Sequence, residues 1–184
     1  MIRVALVVGH TQRAQGARNA YASEYNWNFA IAHSVLKIME AFSNEIKCEV
    51  ITDNNNDYKL HLFNKVGIVN LGNFDLAISM HCNSTIMPTV NGTETWYFCN
   101  SKKGYQIARI FQNQILKNLG LKDRGLKCSK KLVILRETKC TAILLEPFFL
   151  SGTFGAVMQY AGFQELYALS IAQGLMSICE KGEV

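Results

Sequence analysis

Residues 2–8 read IRVALVV, a nearly continuous apolar run that is rich in valine. A strand with one face in water alternates apolar and polar residues, whereas a continuous run is typical of a strand covered on both faces. Strands of this kind occur in parallel sheets, whose connections are crossovers that usually contain a helix. This feature therefore favours an α/β fold with helices on both sides of a central sheet.

The rest of the chain alternates strand-like runs with helical patterns. The strands are predicted at 48–52, 75–80, 94–99, 131–135 and 141–146, in addition to the first, and the helices at 24–42, 59–71, 104–118 and 163–180. The helices are predicted from apolar residues that recur at helical spacing. We therefore predict a three-layer α/β sandwich, with a largely parallel or mixed central sheet of about six strands flanked by helices.

Length and composition fit a single unit. The chain has 184 residues, of which 49% are hydrophobic and 18% are charged, as in a globular protein and unlike a disordered one. No repeat or linker rich in proline and serine divides the chain, which has only two prolines. We therefore predict one domain over residues 1–184.

The first residues also bear on the compartment. The apolar run at 2–8 is too short for the hydrophobic region of a signal peptide, and no small-residue cleavage site follows it. No apolar run reaches the roughly 18 residues that span a bilayer. We therefore expect synthesis in the cytoplasm without a signal peptide. We also expect reduced cysteines, since none of the six forms a CxxC pair.

The net charge of the chain says little about which class of partner it binds. A formal net charge of +5 favours acidic partners, but a solvated surface explains it equally well. The GxGxxG and Walker A motifs are absent, which argues against a nucleotide enzyme. A nucleic-acid binder needs aromatic residues among its lysines and arginines, and the lysine pairs at 102–103 and 130–131 lack them. We therefore expect no nucleic-acid partner.

Polar side chains of catalytic type follow three of the predicted strands. His10 comes directly after the first strand, His81 follows the third, and Glu146 ends the last. In parallel sheets, functional residues collect just beyond the carboxyl ends of the strands, and these three lie at such positions. His33 and His61 fall within helical patterns, where a structural role is more common.

Two imidazoles bind zinc poorly by themselves, and a hydrolytic zinc site usually has three protein ligands and one open position. Glu24 is one candidate for the third ligand, because Ser23 before it can cap a helix that starts there. Its position fits equally well a structural role, in which Glu24 only complements the helix dipole. Cys82 is another candidate, although beside His81 in a strand its side chain points the opposite way.

Glu146 follows AILL at the end of a buried apolar strand. A carboxylate there is costly unless it is paired, protonated or used in chemistry, and its pKa should be raised. Such a group suits a base that takes a proton from water and returns it to a leaving amine. The alternative is a salt bridge with Arg124 or Arg136, and we favour the catalytic role.

In their order along the chain, these residues lie in motifs that resemble the zinc-dependent N-acetylmuramoyl-L-alanine amidases of bacterial autolysins and phage endolysins. The motifs are VALVVGH, SEYNWNFAIA, SMHCNS, TETWYF, DRGLK, VILRET, LLEPFFLS and ALSIAQG. The resemblance covers nearly the whole chain, and the ordered set is more specific than any one motif. The chain departs from the family pattern at Thr11-Gln12, where the family often has Gly-Gly, at Asp53, at Pro147-Phe148, and near Asn64 and Lys65, where an arginine is common.

The resemblance implies that residues 1–184 form one amidase catalytic domain. It implies one Zn²⁺ ion and a water held by His10, Glu24 and His81, with Glu146 as the catalytic acid and base and Asn83 as a substrate contact. The implied reaction cleaves the amide between N-acetylmuramic acid and L-alanine in peptidoglycan, in an endolysin or autolysin that reaches the wall after release. The alternatives are a zinc peptidase that cuts within the stem peptide and a non-catalytic wall-binding module.

Overall fold

A computed structural model of the protein describes residues 1–53, 57–153, 155 and 160–183. The elements, in chain order, are β1 (Ile2–Val8), α1 (Glu24–Phe42), β2 (Ile46–Ile51), α2 (Tyr58–Leu71), β3 (Leu76–Met80), β4 (Thr93–Phe98), α3 (Lys102–Leu119), β5 (Asp123–Ser129), α4 (Val133–Glu137), β6 (Thr141–Glu146) and α5 (Ala161–Glu180). None of the described helices has the length and apolar character needed to cross a membrane.

The six strands form one mixed sheet in the order β2-β1-β3-β6-β4-β5. β1 pairs in parallel with β2 and β3, and β3 pairs in parallel with β6. β4 runs antiparallel to β6 and parallel to β5. The carboxyl ends of β1, β3 and β6 therefore meet, together with the start of β4, at what we call the site end of the sheet. The predicted α/β sandwich with a mixed sheet is confirmed.

Two helical layers of unequal thickness cover the sheet. α1, α3 and α5 pack on what we call the thick face, around fully buried residues such as Phe111 and Tyr167. α2 and α4 cover the thin face, whose smaller core includes Val7 and Leu144. Because successive residues of a strand point to opposite faces, Glu146 points to the same thin face as Leu144.

The prediction of a strand at 131–135 is wrong. The helix α4 begins at Val133, within that segment, and the fifth strand is Asp123–Ser129. β5 lies at the edge of the sheet and is only partly covered, and the pairing with β4 is irregular near Gly125, whose φ is 80°. An edge strand needs little apolar surface, so a search for apolar runs does not reveal it. The other predicted elements are present, and their ends agree with the structure to within two residues.

Cys99 and Cys128 form a disulfide that joins the residue after β4 to β5, at the end of the sheet opposite the site end. The expectation of reduced cysteines is therefore wrong for this pair, while Cys48, Cys82, Cys140 and Cys179 are free. The two sulfurs meet only because β4 and β5 are neighbours, and β5 was absent from the sequence prediction. Disulfides of this kind are typical of proteins that work in an oxidising compartment.

Candidate metal centre and catalytic site

The three residues predicted as metal ligands lie together at the site end. His10 Nε2 is 3.0 Å from Glu24 Oε2, and His81 Nδ1 is 2.8 Å from Glu24 Oε1. One ligand atom from each residue lies within 4.8 Å of the other two. Two imidazole nitrogens and one carboxylate oxygen are a ligand set of hydrolytic zinc sites, which leave a fourth position open. The donors present therefore fit a zinc ion.

Local structure explains how these side chains converge. His10 has a φ of 61°, a left-handed conformation that is uncommon outside glycine, and it turns the chain away from the end of β1. The backbone N–H of His81 donates to Leu145 O at 3.0 Å, which fixes the residue after β3 against β6. Ser23 caps α1 by accepting a hydrogen bond from Asn26 N, as predicted, and Glu24 therefore opens the first turn.

Further hydrogen bonds fix the Glu24 carboxylate. Oε2 accepts from Ala17 N at 2.9 Å, and Oε1 accepts from Cys82 N at 3.1 Å. Burial by itself raises the pKa of Glu24, but the hydrogen bonds and charges of His10 and His81 outweigh it and hold that pKa well below its usual range. Glu24 is therefore an ionised, oriented carboxylate, which is the form that a metal requires.

Two glycines allow the chain to pass close to this cluster. A Cβ atom at Gly16, whose φ is 74°, would lie 2.5 Å from both Glu24 Oε2 and His10 Cδ2. A Cβ atom at Gly9 would lie 2.6 Å from Met80 O and 2.7 Å from the His81 ring. The cluster is therefore packed so closely by backbone that no larger residue fits at either position.

Lys65 is a site residue to which the sequence analysis assigned no role. Its side chain is buried, with 2% exposure, and Nζ donates to Val8 O at 2.6 Å and to His10 O. Burial lowers the pKa of Lys65 to about 8, against the opposing effect of the Asp53 charge. The ammonium thus links α2 to the backbone that carries His10. One hint of this role was present in the sequence: Lys65 lies near the position where the family commonly has an arginine.

Glu146 lies beside the metal-ligand cluster, and few contacts offset the cost of burying its carboxylate. Its Oε2 atom is buried and has no hydrogen-bond partner among the described residues. Burial, followed by the charges of Glu24 and Glu94, raises the pKa of Glu146 well above its usual value. The alternative of a salt bridge is wrong, because Arg124 pairs with Glu94 at 2.8 Å and Arg136 pairs with Glu137 at 2.6 Å.

A second carboxylate, Glu94, lies directly opposite Glu146 in the β4–β6 pairing. It accepts hydrogen bonds from Asn83 Nδ2 at 2.9 Å, Trp96 Nε1 at 3.2 Å and Arg124 Nε at 2.8 Å. These contacts hold Glu94 beside Glu146 and fix the side chain of Asn83. The role of Asn83 as a substrate contact stays a prediction. Glu94 and Arg124 lie in two of the quoted motifs, but nothing in the sequence indicated that they pair.

Three other residues that the sequence offered as candidates lie outside the metal-ligand cluster. The Cys82 thiol is buried in the thick-face core, 3.9 Å from Asn28 Oδ1, so Cys82 is not the third ligand. His33 is bonded to Phe29 O on α1, and His61 is buried in α2. The predicted structural roles of these two histidines agree with their positions.

A cavity of about 400 Å³ opens on the thin face beside the cluster, and we call it the cleft. His10, His81 and Glu146 line it together with residues of α2 and with residues in and just before α4. The three groups therefore share one space that is accessible to a substrate.

Comparison with known proteins identifies the class. The chain matches the N-acetylmuramoyl-L-alanine amidase family (Amidase_3) over residues 4–177, and it belongs to that family. It is 28% identical over 175 residues to N-acetylmuramoyl-L-alanine amidase LytC of Bacillus subtilis, an alignment that covers 92% of this chain and 34% of LytC. The chain thus spans about a third of the length of that relative.

Two solved structures of amidases are similar over their whole length. The catalytic domain of CwlV from Bacillus (Paenibacillus) polymyxa var. colistinus has a TM-score of 0.87 and 26% identity, covering 98% of this chain and 99% of that chain. AmiC2 of Nostoc punctiforme has a TM-score of 0.85 and 25% identity, covering 97% of each chain. The predicted family is therefore confirmed. This family is generally zinc-dependent, and His10, Glu24 and His81 form a possible metal site.

Proposed function

We propose that residues 1–184 form one catalytic domain that hydrolyses the amide between N-acetylmuramic acid and L-alanine in peptidoglycan. One observation carries the proposal: His10, His81 and Glu146 line the same cleft, with Glu24 bonded to both imidazoles behind it. Membership of the amidase family and the similarity to solved amidases support the same activity.

We propose that His10, Glu24 and His81 hold one zinc ion. When bound, zinc supplies Lewis acidity, which polarises the scissile carbonyl and favours ionisation of a water molecule. Glu24 brings the negative charge to this centre, and its hydrogen bonds from Ala17 N and Cys82 N keep the carboxylate from rotating. The backbone of His10 is held from the other side by the Lys65 ammonium.

Glu146 moves the proton. Its carboxylate accepts a proton from the attacking water and then delivers that proton to the nitrogen of the departing L-alanine, so the residue ends the turnover as it began. A carboxyl whose pKa is raised by burial and by two neighbouring carboxylates is suited to act as both base and acid. Arg124, Asn83 and Trp96 donate to Glu94 and hold its carboxylate near Glu146.

In the same proposal, the protein acts on the cell wall as an endolysin or an autolysin. Its proposed partner is peptidoglycan, and we expect no nucleic-acid partner. Synthesis in the cytoplasm and release before action stay predictions. The Cys99–Cys128 bond supports work outside a reducing compartment.

Product analysis tests the proposal. Purified peptidoglycan digested by the metal-loaded protein should yield free N-terminal L-alanine and intact muramic acid by mass spectrometry. Metal analysis should find about one zinc per chain, and the His81→Ala variant should lose most of it. Cleavage only within the stem peptide would show a zinc peptidase instead. No cleavage by a zinc-loaded chain would favour the non-catalytic module.

A further inference from the structure

The cleft has a defined floor and walls. Val7, Ser79 and Leu144 of the sheet form the floor, Leu62 of α2 forms one side, and residues 131–134 form the other. α2 packs against α4, so the two sides of the cleft belong to helices that contact each other. A volume of about 400 Å³ lies within the range of roughly 300–1,000 Å³ common for small-ligand pockets.

The charges along the cleft are mostly positive. Among the described residues, Glu146 is the one carboxylate that lines it, and two lysines line it as well. Lys65 is buried and hydrogen-bonded to backbone carbonyls, whereas Lys131 is exposed. The Lys131 ammonium makes no ion pair with any residue in the described ranges, the pairs of Glu137 and Glu94 being made with arginines. The cleft therefore suits a small ligand that is partly apolar and carries an anionic group.

The shape of the substrate decides which part of it enters. A cavity of about 400 Å³ suits a small ligand and not a glycan strand, which continues in both directions from each muramic acid. The stem peptide leaves the strand through the amide nitrogen to which Glu146 delivers its proton. Because Glu146 lines the cleft, the peptide side of the scissile bond faces it.

The chemistry of the stem peptide matches the lining. The carboxyl group of L-alanine is joined to the amino group of D-glutamate, whose γ-carboxyl group carries the next residue and whose α-carboxyl group is free in some walls and amidated in others. An alanine methyl group suits the apolar floor beside Glu146. A free α-carboxylate one residue further along supplies the anion that the exposed Lys131 lacks.

On the basis of the function proposed above, we propose that the cleft is the subsite for the first two residues of the stem peptide and that Lys131 binds the free α-carboxylate of the second. The protein therefore distinguishes D-glutamate from D-isoglutamine at that position. Lys131 is a specificity-determining residue, and its removal affects the free-acid substrate alone.

Binding of the product dipeptides tests this subsite without turnover. Titration calorimetry with L-Ala-D-Glu and L-Ala-D-isoglutamine, which differ only at the α-carboxyl group, should show that the zinc-loaded protein binds the free acid about five- to tenfold more tightly. Lys131→Gln should bring the two affinities together by weakening the free acid only, and Lys131→Glu should favour the amidated dipeptide. Lys130→Gln is the matched control, since Lys130 is exposed beside it and does not line the cleft.

Turnover of the matching muramoyl peptides separates this proposal from the proposed function. Equal dipeptide affinities in the parent, or an equal loss for both dipeptides in Lys131→Gln, would overturn the subsite even if both muramoyl peptides are cleaved. A preference for the free-acid dipeptide that depends on Lys131 would support the subsite. If neither muramoyl peptide is then cleaved, the amidase activity fails and the subsite stands.

Discussion

Leu145 and Glu146 are neighbours in β6, but they face different sides of the sheet. Leu145 is fully buried on the thick face, under a layer of three helices. Glu146 faces the thin face, where two helices leave the cleft open and a buried carboxylate oxygen has no partner in the described structure. The same strands thus supply stability on one face and reactivity on the other, because burial without partners is tolerated only where chemistry needs it.

The largest effect should come from changing Glu146, whose buried Oε2 atom has no partner within the described ranges. Glu146→Gln keeps the shape but loses the proton carrier, so kcat on peptidoglycan should fall about 10²–10⁴-fold. Zinc content and the midpoint of thermal unfolding should stay near those of the parent. Glu137→Gln, an exposed change in α4, is the control. Wall lysis at the parental rate by the Glu146→Gln variant would refute the mechanism.

A core truncation on each face should separate their contributions to stability. Phe111→Ala removes a fully buried ring from the thick face and should lower the free energy of unfolding by about 3–5 kcal/mol. Leu132→Ala, at the half-buried wall of the cleft, should cost about 1 kcal/mol. Urea denaturation of both variants measures the two losses in the free energy of unfolding. Equal losses would contradict the conclusion that the thick face contributes more stability than the thin face.

The disulfide should contribute stability without affecting the site. Replacing Cys99 and Cys128 with serine opens a link between residues separated by 29 positions and should cost about 2–4 kcal/mol of unfolding free energy. Zinc affinity and kcat should be unchanged, because the bond lies at the opposite end of the sheet. Cys140→Ser, at a free cysteine, is the control. A loss of zinc affinity in the double serine variant would show coupling between the two ends.

A further effect, on metal affinity, should come from changing the lysine that supports His10. Lys65→Met leaves two backbone carbonyls without their donor and should weaken zinc binding about 10–100-fold, as measured by competition with a chelator. Lys65→Arg keeps a cationic donor and should recover part of that affinity. Lys139→Met, an exposed substitution, controls for charge. Parental zinc affinity in Lys65→Met would mean that the ammonium does not position His10.

Much of the fold was predictable because most of its elements bury apolar surface with a clear period. The continuous run of β1 and the helical stripe of α1 predicted both elements within two residues of their bounds. β5 was missed because a partly covered edge strand carries no such pattern, and α4 was mistaken for a strand because residues 131–135 are mostly apolar whichever element they form.

The candidate site likewise contains residues that the sequence predicts and residues that it does not. His10, His81 and Glu146 were predictable, since each follows an apolar strand directly and parallel strands end together. Lys65 was not, because the partner of its ammonium is backbone, which has no sequence signal. The Glu94–Arg124 pair depends on the antiparallel placement of β4 beside β6, which pattern alone does not specify.

That reversed strand also determines where variation is tolerated. Because β4 runs back along β6, residues 81–92 leave β3 and enter β4 at the same end of the sheet, with no helix between them. The tip of this segment carries Ile86, whose side chain is wholly exposed, and Met87, which is 59% exposed. An insertion at this tip would lengthen a surface loop at the site end and leave every strand in register. This loop can therefore change in length while the sheet and its helices keep their arrangement.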